Sequence, residues 1–163
     1  MERIAEVTVR FEFPVGAQVT FNDSLELSLD CPVCRRCCRT VAFWVGESEG
    51  RCSPTRHAFP GRIINKQVAQ EGKVTSVVFR VRYSYEPFTD AKYLEKRKPS
   101  GEPTWGRIQF QVKCPLCGEV RNAFTQTNIV RPWLCQCKCG CDLYTDQDLQ
   151  PVLSWTEAPV TEL

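Results

Sequence analysis

The feature that most constrains this chain is a strand-like segment that runs into a Cys-Pro-x-Cys turn and occurs twice. Residues 27–34 are Leu-Ser-Leu-Asp-Cys-Pro-Val-Cys, and residues 110–117 are Phe-Gln-Val-Lys-Cys-Pro-Leu-Cys. Two cysteines three positions apart in such a turn can present both thiolates to one metal ion. The repeat therefore predicts two related units, each organised around a metal site.

Alternating apolar and polar residues surround both turns. They predict half-buried strands over residues 5–13, 25–29 and 40–45 in the first half, and over residues 77–85, 108–112 and 123–129 in the second. A short helix is expected only over residues 91–97. The pattern indicates a mainly β protein with little helix.

A polar break with a turn-forming glycine, residues 70–73, separates the two halves. It predicts an N-terminal lobe of residues 1–72 and a C-terminal lobe of residues 73–150. Residues 151–163 contain two prolines and acidic residues, so we expect a tail from which Leu153 and Trp155 pack back onto the protein.

The cysteine content bounds the environment of the protein. Eleven cysteines in 163 residues fit either a disulfide scaffold or a set of metal ligands. The N-terminal residues have no apolar signal core, and no run of about 18 apolar residues occurs anywhere. We therefore expect a cytoplasmic protein with reduced, mostly metal-bound cysteines, and the disulfide scaffold is the less favoured alternative.

In the second half, Cys114 and Cys117 precede a cluster of four alternating cysteines within residues 135–141. A structural zinc ion takes four ligands, so two members of the cluster complete the set. We favour Cys137 and Cys139, because Cys139, like Cys117, is followed by a glycine that permits a tight turn.

Two alternatives remain open for this second-half site. Cys135 or Cys141 could take the place of Cys137. An iron–sulfur centre is less favoured, because the usual spacings of its cysteines are absent.

In the first half, Cys31 and Cys34 begin a site that Cys52 and His57 can complete. The span between the two ligand pairs is similar to that in the second half, as related units would require. The neighbouring residues 37 and 38 are also cysteines, and one of them could replace Cys52 or His57.

Both cysteine sets resemble those of zinc ribbons, over about residues 25–60 and 107–145. The second set, with residues 128–133 before its cysteines and residues 142–144 after them, is also similar to small uncharacterised bacterial zinc-ribbon proteins. The resemblance implies duplicated β-strand units, each carrying a zinc-ribbon-like site, and two structural Zn²⁺ ions. The first set departs from the pattern, since no glycine follows Cys34.

Recognisable catalytic motifs are absent from the sequence. There is no His-Glu-x-x-His, no Gly-rich phosphate loop and no Gly-x-Ser-x-Gly turn. A reactive Cys38 between arginines is the remaining enzymatic hypothesis. We expect no enzyme and no small-molecule substrate.

The partner is the least constrained property. With 21 basic and 19 acidic residues, the net charge of +2 gives no global argument for nucleic acid or membrane. We expect a non-enzymatic adaptor or inhibitor that binds another protein, with no membrane contact and with the tryptophans in the core. The alternative is a nucleic-acid-binding protein that uses Arg35, Arg36 and Arg39 beside the first turn. An enzyme of unrecognised type is the third hypothesis.

Overall fold

The computed structural model describes most of the chain, namely residues 3–14, 18–31, 36–53, 56–72, 74–85, 101–128, 134–136, 138–140, 142–144 and 151–160. These residues form eleven β-strands and contain no α-helix. The prediction of a mainly β protein is confirmed. The short helix expected over residues 91–97 lies outside the described residues. Within them, no helix is both long and apolar enough to span a membrane.

The strands are β1 (Arg3–Pro14), β2 (Gln18–Cys31), β3 (Arg36–Trp44), β4 (Glu49–Ser53), β5 (Ala58–Glu71), β6 (Val74–Tyr85), β7 (Gly106–Lys113), β8 (Val120–Gln126), β9 (Leu134–Gln136), β10 (Asp142–Tyr144) and β11 (Val152–Ala158). Nine of them form one antiparallel sheet in the order β11-β1-β6-β5-β4-β3-β2-β7-β8. The strands β9 and β10 form a separate hairpin.

The large sheet curls so that its two ends face each other across one hydrophobic core. The ring of Phe13 on β1 lies 4.9 Å from that of Phe110 on β7 and 5.5 Å from that of Phe21 on β2. The core side chains alternate along each strand, as in Val77, Phe79 and Val81, because successive side chains of a strand point to opposite faces. Alternation in the sequence therefore corresponds to the division between core and solvent.

Equivalent strands of the two predicted halves pair with each other. The strand β1 lies antiparallel to β6, with Val7 opposite Val81, and β2 lies antiparallel to β7, with Phe21 opposite Phe110. The predicted boundary near residue 72 falls in the β5–β6 hairpin, and strands from both sides of it alternate within one sheet. The hydrophobic face of each half is thus buried against the other half.

The strand order has an internal symmetry. In the groups β11-β1-β6-β5 and β3-β2-β7-β8, β1 can be matched with β6, β2 with β7, β3 with β8 and β5 with β11. This matching keeps the order of the strands along the chain and places matched strands at mirror positions in each group. The strand β4 joins the two groups by pairing with both β3 and β5. The strands β8 and β11 are the two ends of the sheet.

The segment expected to be a tail contains an edge strand. The strand β11 pairs with β1 over seven residues, from Ile4 opposite Ala158 to Arg10 opposite Val152. Leu153 and Trp155 are partly buried against the core.

Two glycines make room for one large ring in the core. A Cβ atom at Gly50 or Gly61 would lie 2.7 Å from the ring of Phe43. Phe43 is fully buried and stacks on Tyr83 at a centroid distance of 5.9 Å. Because Gly50 on β4 and Gly61 on β5 have no side chain, these two strands can pass closely over Phe43 and Tyr83.

Candidate metal centre

The Cys-Pro-x-Cys turn of the second half connects β7 to β8. Cys114 follows the last residue of β7 and is 2% exposed. Its backbone N–H donates to the carbonyl of Glu119, and the N–H of Gly118 donates to the carbonyl of Cys114, both at 2.9 Å. Gly118 has a φ of 74°, which a glycine adopts without strain. The hairpin turn thus fixes the position of the Cys114 sulfur relative to that of Cys117.

A second hairpin supplies the third thiol. In the β9–β10 hairpin, Cys135 lies opposite Leu143, and the described residues 138–140 lie between its two strands. Cys139 is one of these residues and is followed by Gly140, whose φ is 89°. The two cysteines that precede a glycine, Cys117 and Cys139, therefore both lie in hairpin turns.

The structure brings three thiols to one point. The Sγ atoms of Cys114, Cys117 and Cys139 all lie within 4.8 Å of one another, and those of Cys114 and Cys139 are 3.7 Å apart. A tetrahedral zinc ion with Zn–S bonds of about 2.3 Å holds its sulfurs about 3.8 Å apart. A disulfide needs an S–S distance of about 2.05 Å. The spacing fits ligands of one metal ion, and the thiols form no disulfide.

The environment of Cys114 favours its thiolate. The backbone N–H of Cys117 is directed at the sulfur of Cys114, and this bond is the main cause that lowers the pKa of Cys114 to about 6. Burial acts in the opposite direction, while the N–H of Leu116 and the thiols of Cys139 and Cys117 add to the lowering. A thiolate that accepts amide hydrogen bonds is the form that binds a metal.

A structural zinc ion at this point would need a fourth ligand. The predicted ligand Cys137 lies outside the described residues, as do Cys141 and the side chain of Cys135. All three lie within four residues of Cys139 in the sequence. The donor set, three thiols of correct spacing with cysteines beside them in sequence, therefore fits a four-thiolate site.

The four ligands predicted for the first half are only partly described. Cys31 is the last residue of β2, its side chain is not described, and Cys34 lies outside the described residues. Cys52 lies on β4 with its side chain in the hydrophobic core, and its backbone N–H donates to the carbonyl of His57 at 3.1 Å. Within the described part of the chain, neither Cys52 nor His57 belongs to a group of three side chains that could bind one metal ion. The first-half site stays a prediction.

The other residues singled out from the sequence surround this first turn. Arg35 lies outside the described residues, and Arg36 and Arg39 lie on β3 with their side chains outside the described part. The same holds for the side chains of residues 37 and 38. The nucleic-acid hypothesis for these arginines stays a prediction.

One surface feature differs from the sequence expectation. Trp44 was expected in the core, but its side chain lies on the solvent face of β3 and is 40% exposed. The alternation of side chains along β3 indicates this position of Trp44. Val41 and Phe43 are buried, so the alternating positions Thr40, Ala42 and Trp44 face outward. Open grooves adjoin Trp44 on several sides.

Fold and site together define a class of protein, an antiparallel β protein with a thiolate cluster of metal-ligand geometry. The chain matches no family model, no curated protein and no solved structure. The function must therefore be argued from its own residues.

Proposed function

We propose that this protein is a non-enzymatic, zinc-stabilised β protein that binds another protein. Its metal is a structural zinc ion held by Cys114, Cys117, Cys139 and one further cysteine of the same loop. The sulfur spacing, the amide hydrogen bonds to Cys114 and the all-thiol donor set support zinc in a closed site. Four protein ligands leave no position for a reacting water, so the ion would stabilise the fold and join the β7–β8 hairpin to the β9–β10 hairpin.

The zinc-ribbon hypothesis draws support from the same geometry. A zinc ribbon holds its metal between two turns, and here the β7–β8 and β9–β10 turns supply the three thiols. The symmetric strand order supports internal duplication, because equivalent strands of the two halves occupy equivalent places. The proposal keeps a second zinc ion at Cys31 and Cys34, with Cys52 and His57 as the predicted further ligands. The strand equivalence supports only the turn that carries the first two, because β4, which carries Cys52, has no counterpart in the second half.

The observation that carries the protein-binding function is the edge strand that leaves the metal site. Among the described strands, β8 pairs only with β7, so its other side presents unpaired backbone groups. Its solvent face carries Val120 and Phe124, 55% and 56% exposed, and Leu116 in the adjoining turn is 77% exposed. An edge with exposed apolar residues is the usual site at which a second chain adds a strand.

The metal explains why this edge can serve as a docking site. Cys114 and Cys117 fix the turn from which β8 begins, so the apolar face of the strand is held in one orientation before a partner arrives. A preordered edge loses less conformational entropy on binding than a mobile one. Zinc would then contribute to affinity without contacting the partner.

The test is purification of the tagged full-length protein from its native cell, with identification of any stoichiometric partner. A double variant, Val120→Lys with Phe124→Lys, should lose that partner while it keeps its zinc content. Val68→Lys is the matched control, because Val68 is 51% exposed on β5, several strands away. Partner loss in the control as well, or no stoichiometric protein partner in any preparation, would contradict the proposal.

A further inference from the structure

The solvent face of the sheet beside Trp44 is concave. An open groove of about 1040 Å³ is lined by Trp44, by small or short side chains that include Thr40 and Ala42, and by three arginines. Ala42 lies opposite Arg51 on β4 and opposite Glu26 on β2, which in turn lies opposite Arg107 on β7. The short side chain of Ala42 lies between the long side chains of Arg51 and Glu26 in this row, and this difference in length produces the depression.

The charge of the groove is positive. Arg51, Arg56 and Arg107 line the groove, and among its described lining residues Glu26 is the one acid. Glu26 is already engaged, since one carboxylate oxygen lies 3.4 Å from Arg107 and the other accepts a bond from Gln109 at 3.1 Å. The groove therefore has an excess of cationic groups for an incoming anion.

Arg56 is the most available of these cations. It has a φ of 58°, in the left-handed region that residues other than glycine rarely adopt. Its backbone N–H donates to the carbonyl of Cys52, and its own carbonyl faces the guanidinium of Arg51 at 3.5 Å. In the part of the chain that the structure describes, its guanidinium forms no ion pair. Such backbone strain is often found where a side chain is held for a purpose.

The other two arginines differ in how firmly they are held. Arg51 pairs only loosely with Glu49, at 3.6 Å between half-exposed side chains, an interaction that is weak in water. Arg107 stacks between Trp105 and Phe124, at 4.7 and 5.4 Å from the ring centres, and donates to Gln126 at 2.8 Å. Arg107 is thus a fixed positive charge, and Arg51 can turn toward a ligand.

We propose that this groove binds single-stranded nucleic acid, with a base stacked on Trp44 and the backbone phosphates at Arg51 and Arg56. An exposed aromatic ring beside arginines on an open β-sheet is the combination that binds unpaired bases without sequence preference. This site goes beyond the proposed protein binding, and it uses neither Leu116, Val120 nor Phe124 as a contact.

Acidic side chains also lie near Trp44. Glu47 and Glu49 line a second groove, which Trp44 and Arg51 border as well, and Asp23, which pairs with Lys66 at 2.6 Å, lines a third. Arg56 and Arg107 line neither of these two grooves, so the repulsion of phosphates is weakest on their side of Trp44.

The test uses zinc-loaded full-length protein and a fluorescein-labelled oligothymidylate of about 15 nucleotides, within the usual site sizes for such surfaces. We expect micromolar affinity by anisotropy at about 50 mM salt. Trp44→Ala should weaken binding by about tenfold, the range of one base–aromatic stack. Arg51→Gln and Arg56→Gln should each lower the slope of log K against log salt by roughly 0.7.

Arg10→Gln is the matched control, since Arg10 is half-exposed on β1, far from the groove in the strand order. It should leave affinity and salt slope unchanged. Circular dichroism and zinc content verify that each variant is folded. Three results would overturn the proposal: no binding at low salt, equal losses in Arg10→Gln and Trp44→Ala, or displacement of the oligonucleotide by polyglutamate at equal charge concentration, which would indicate a site for an acidic protein.

Discussion

The sulfur of Cys114 lies 3.7 Å from the sulfur of Cys139, although the two cysteines are 25 positions apart in the chain. This contact joins the edge of the nine-stranded sheet to the β9–β10 hairpin. A metal ion at this point would close a loop between two hairpins, and its binding energy would become part of the folding energy.

Replacement of a metal ligand should therefore cost more than replacement of a neighbouring thiol. We expect Cys114→Ser and Cys139→Ser to lose the second-half zinc and to destabilise the protein by on the order of 4 kcal/mol. The melting temperature would fall by roughly 8–16 °C for a domain of this size. Thermal melts with parallel metal analysis measure both effects.

Cys141→Ser is the control for these variants, because the sequence favours Cys137 as the fourth ligand. It should change the melting temperature little and keep the metal. An equally large loss in Cys141→Ser would mean that Cys141 completes the site.

The repeated turn predicts two zinc ions per chain. Elemental analysis of the purified protein should give two zinc ions, falling to one in Cys114→Ser and to one in Cys31→Ser. A single zinc ion that survives Cys31→Ser but not Cys114→Ser would remove the first-half site. Iron in place of zinc would contradict the zinc-ribbon interpretation of the half that holds it.

Gly50→Ala should destabilise the core beneath β4. The added Cβ would lie 2.7 Å from the ring of Phe43, closer than packed atoms allow. Overpacking of this kind costs about 1–3 kcal/mol. The melting temperature should fall by roughly 2–12 °C.

A double-mutant cycle with Phe43→Leu tests the cause of that loss. The smaller side chain removes the ring atoms that meet the new Cβ, so Gly50→Ala should cost less in the Phe43→Leu background. An equal cost in both backgrounds would show that the strain comes from the backbone of β4 and not from the ring.

The edge strand β11 is attached to β1 and β6 through Glu157. The Tyr85 hydroxyl donates to Oε1 of Glu157 at 2.6 Å, and Arg3 lies 3.1 Å from the same oxygen. The Tyr85 bond is the main cause that lowers the pKa of Glu157; burial opposes it, and Arg3 adds to the lowering. Burial and then Glu157 raise the pKa of Tyr85 to about 12.

These shifts give a definite dependence on pH. The ionised Glu157 stabilises the folded state above the ordinary pKa of a glutamate, and this contribution is lost as the pH falls through its lowered pKa. The neutral Tyr85 contributes below the ordinary pKa of a tyrosine, and its contribution is lost as the pH rises through about 12. Denaturant titrations across the acidic range should show a smaller pH dependence in Tyr85→Phe than in the parent protein.

Arg3→Gln separates the two partners of Glu157. In an NMR titration of the Glu157 carboxyl carbon, Tyr85→Phe should raise the pKa of Glu157 more than Arg3→Gln does. The reverse order would show that the guanidinium, and not the hydroxyl, is the main cause.

Much of the secondary structure could be predicted from local patterns. The alternation over residues 5–13 and 77–85 lies within β1 and β6, because side chains of a strand alternate between core and solvent whatever the strand pairs with. The same alternation, followed through residues 40–44, places Trp44 outside, whereas the general preference of tryptophan for the core pointed the other way. Pattern was here a better guide than residue type.

The metal site was open to prediction only in part. The Cys114 turn is local, since two residues separate its two cysteines and a glycine follows them. The choice among the alternating cysteines of residues 135–141 depends on which of them the β9–β10 hairpin turns toward Cys114, and that is a contact between distant segments. The glycine after Cys139 was the single local signal for it.

Local sequence patterns were enough to predict that this protein is built of strands, where apolar side chains alternate with polar ones, and that Cys114 and Cys117 share a turn. These properties follow from interactions within a few residues. Tertiary packing alone sets the pairing of β1 with β6 and of β2 with β7, the edge strand at residues 152–158, and the groove that Trp44 shares with three arginines. Register and strand order depend on burying both apolar faces in one core, and no short segment of the chain contains that information.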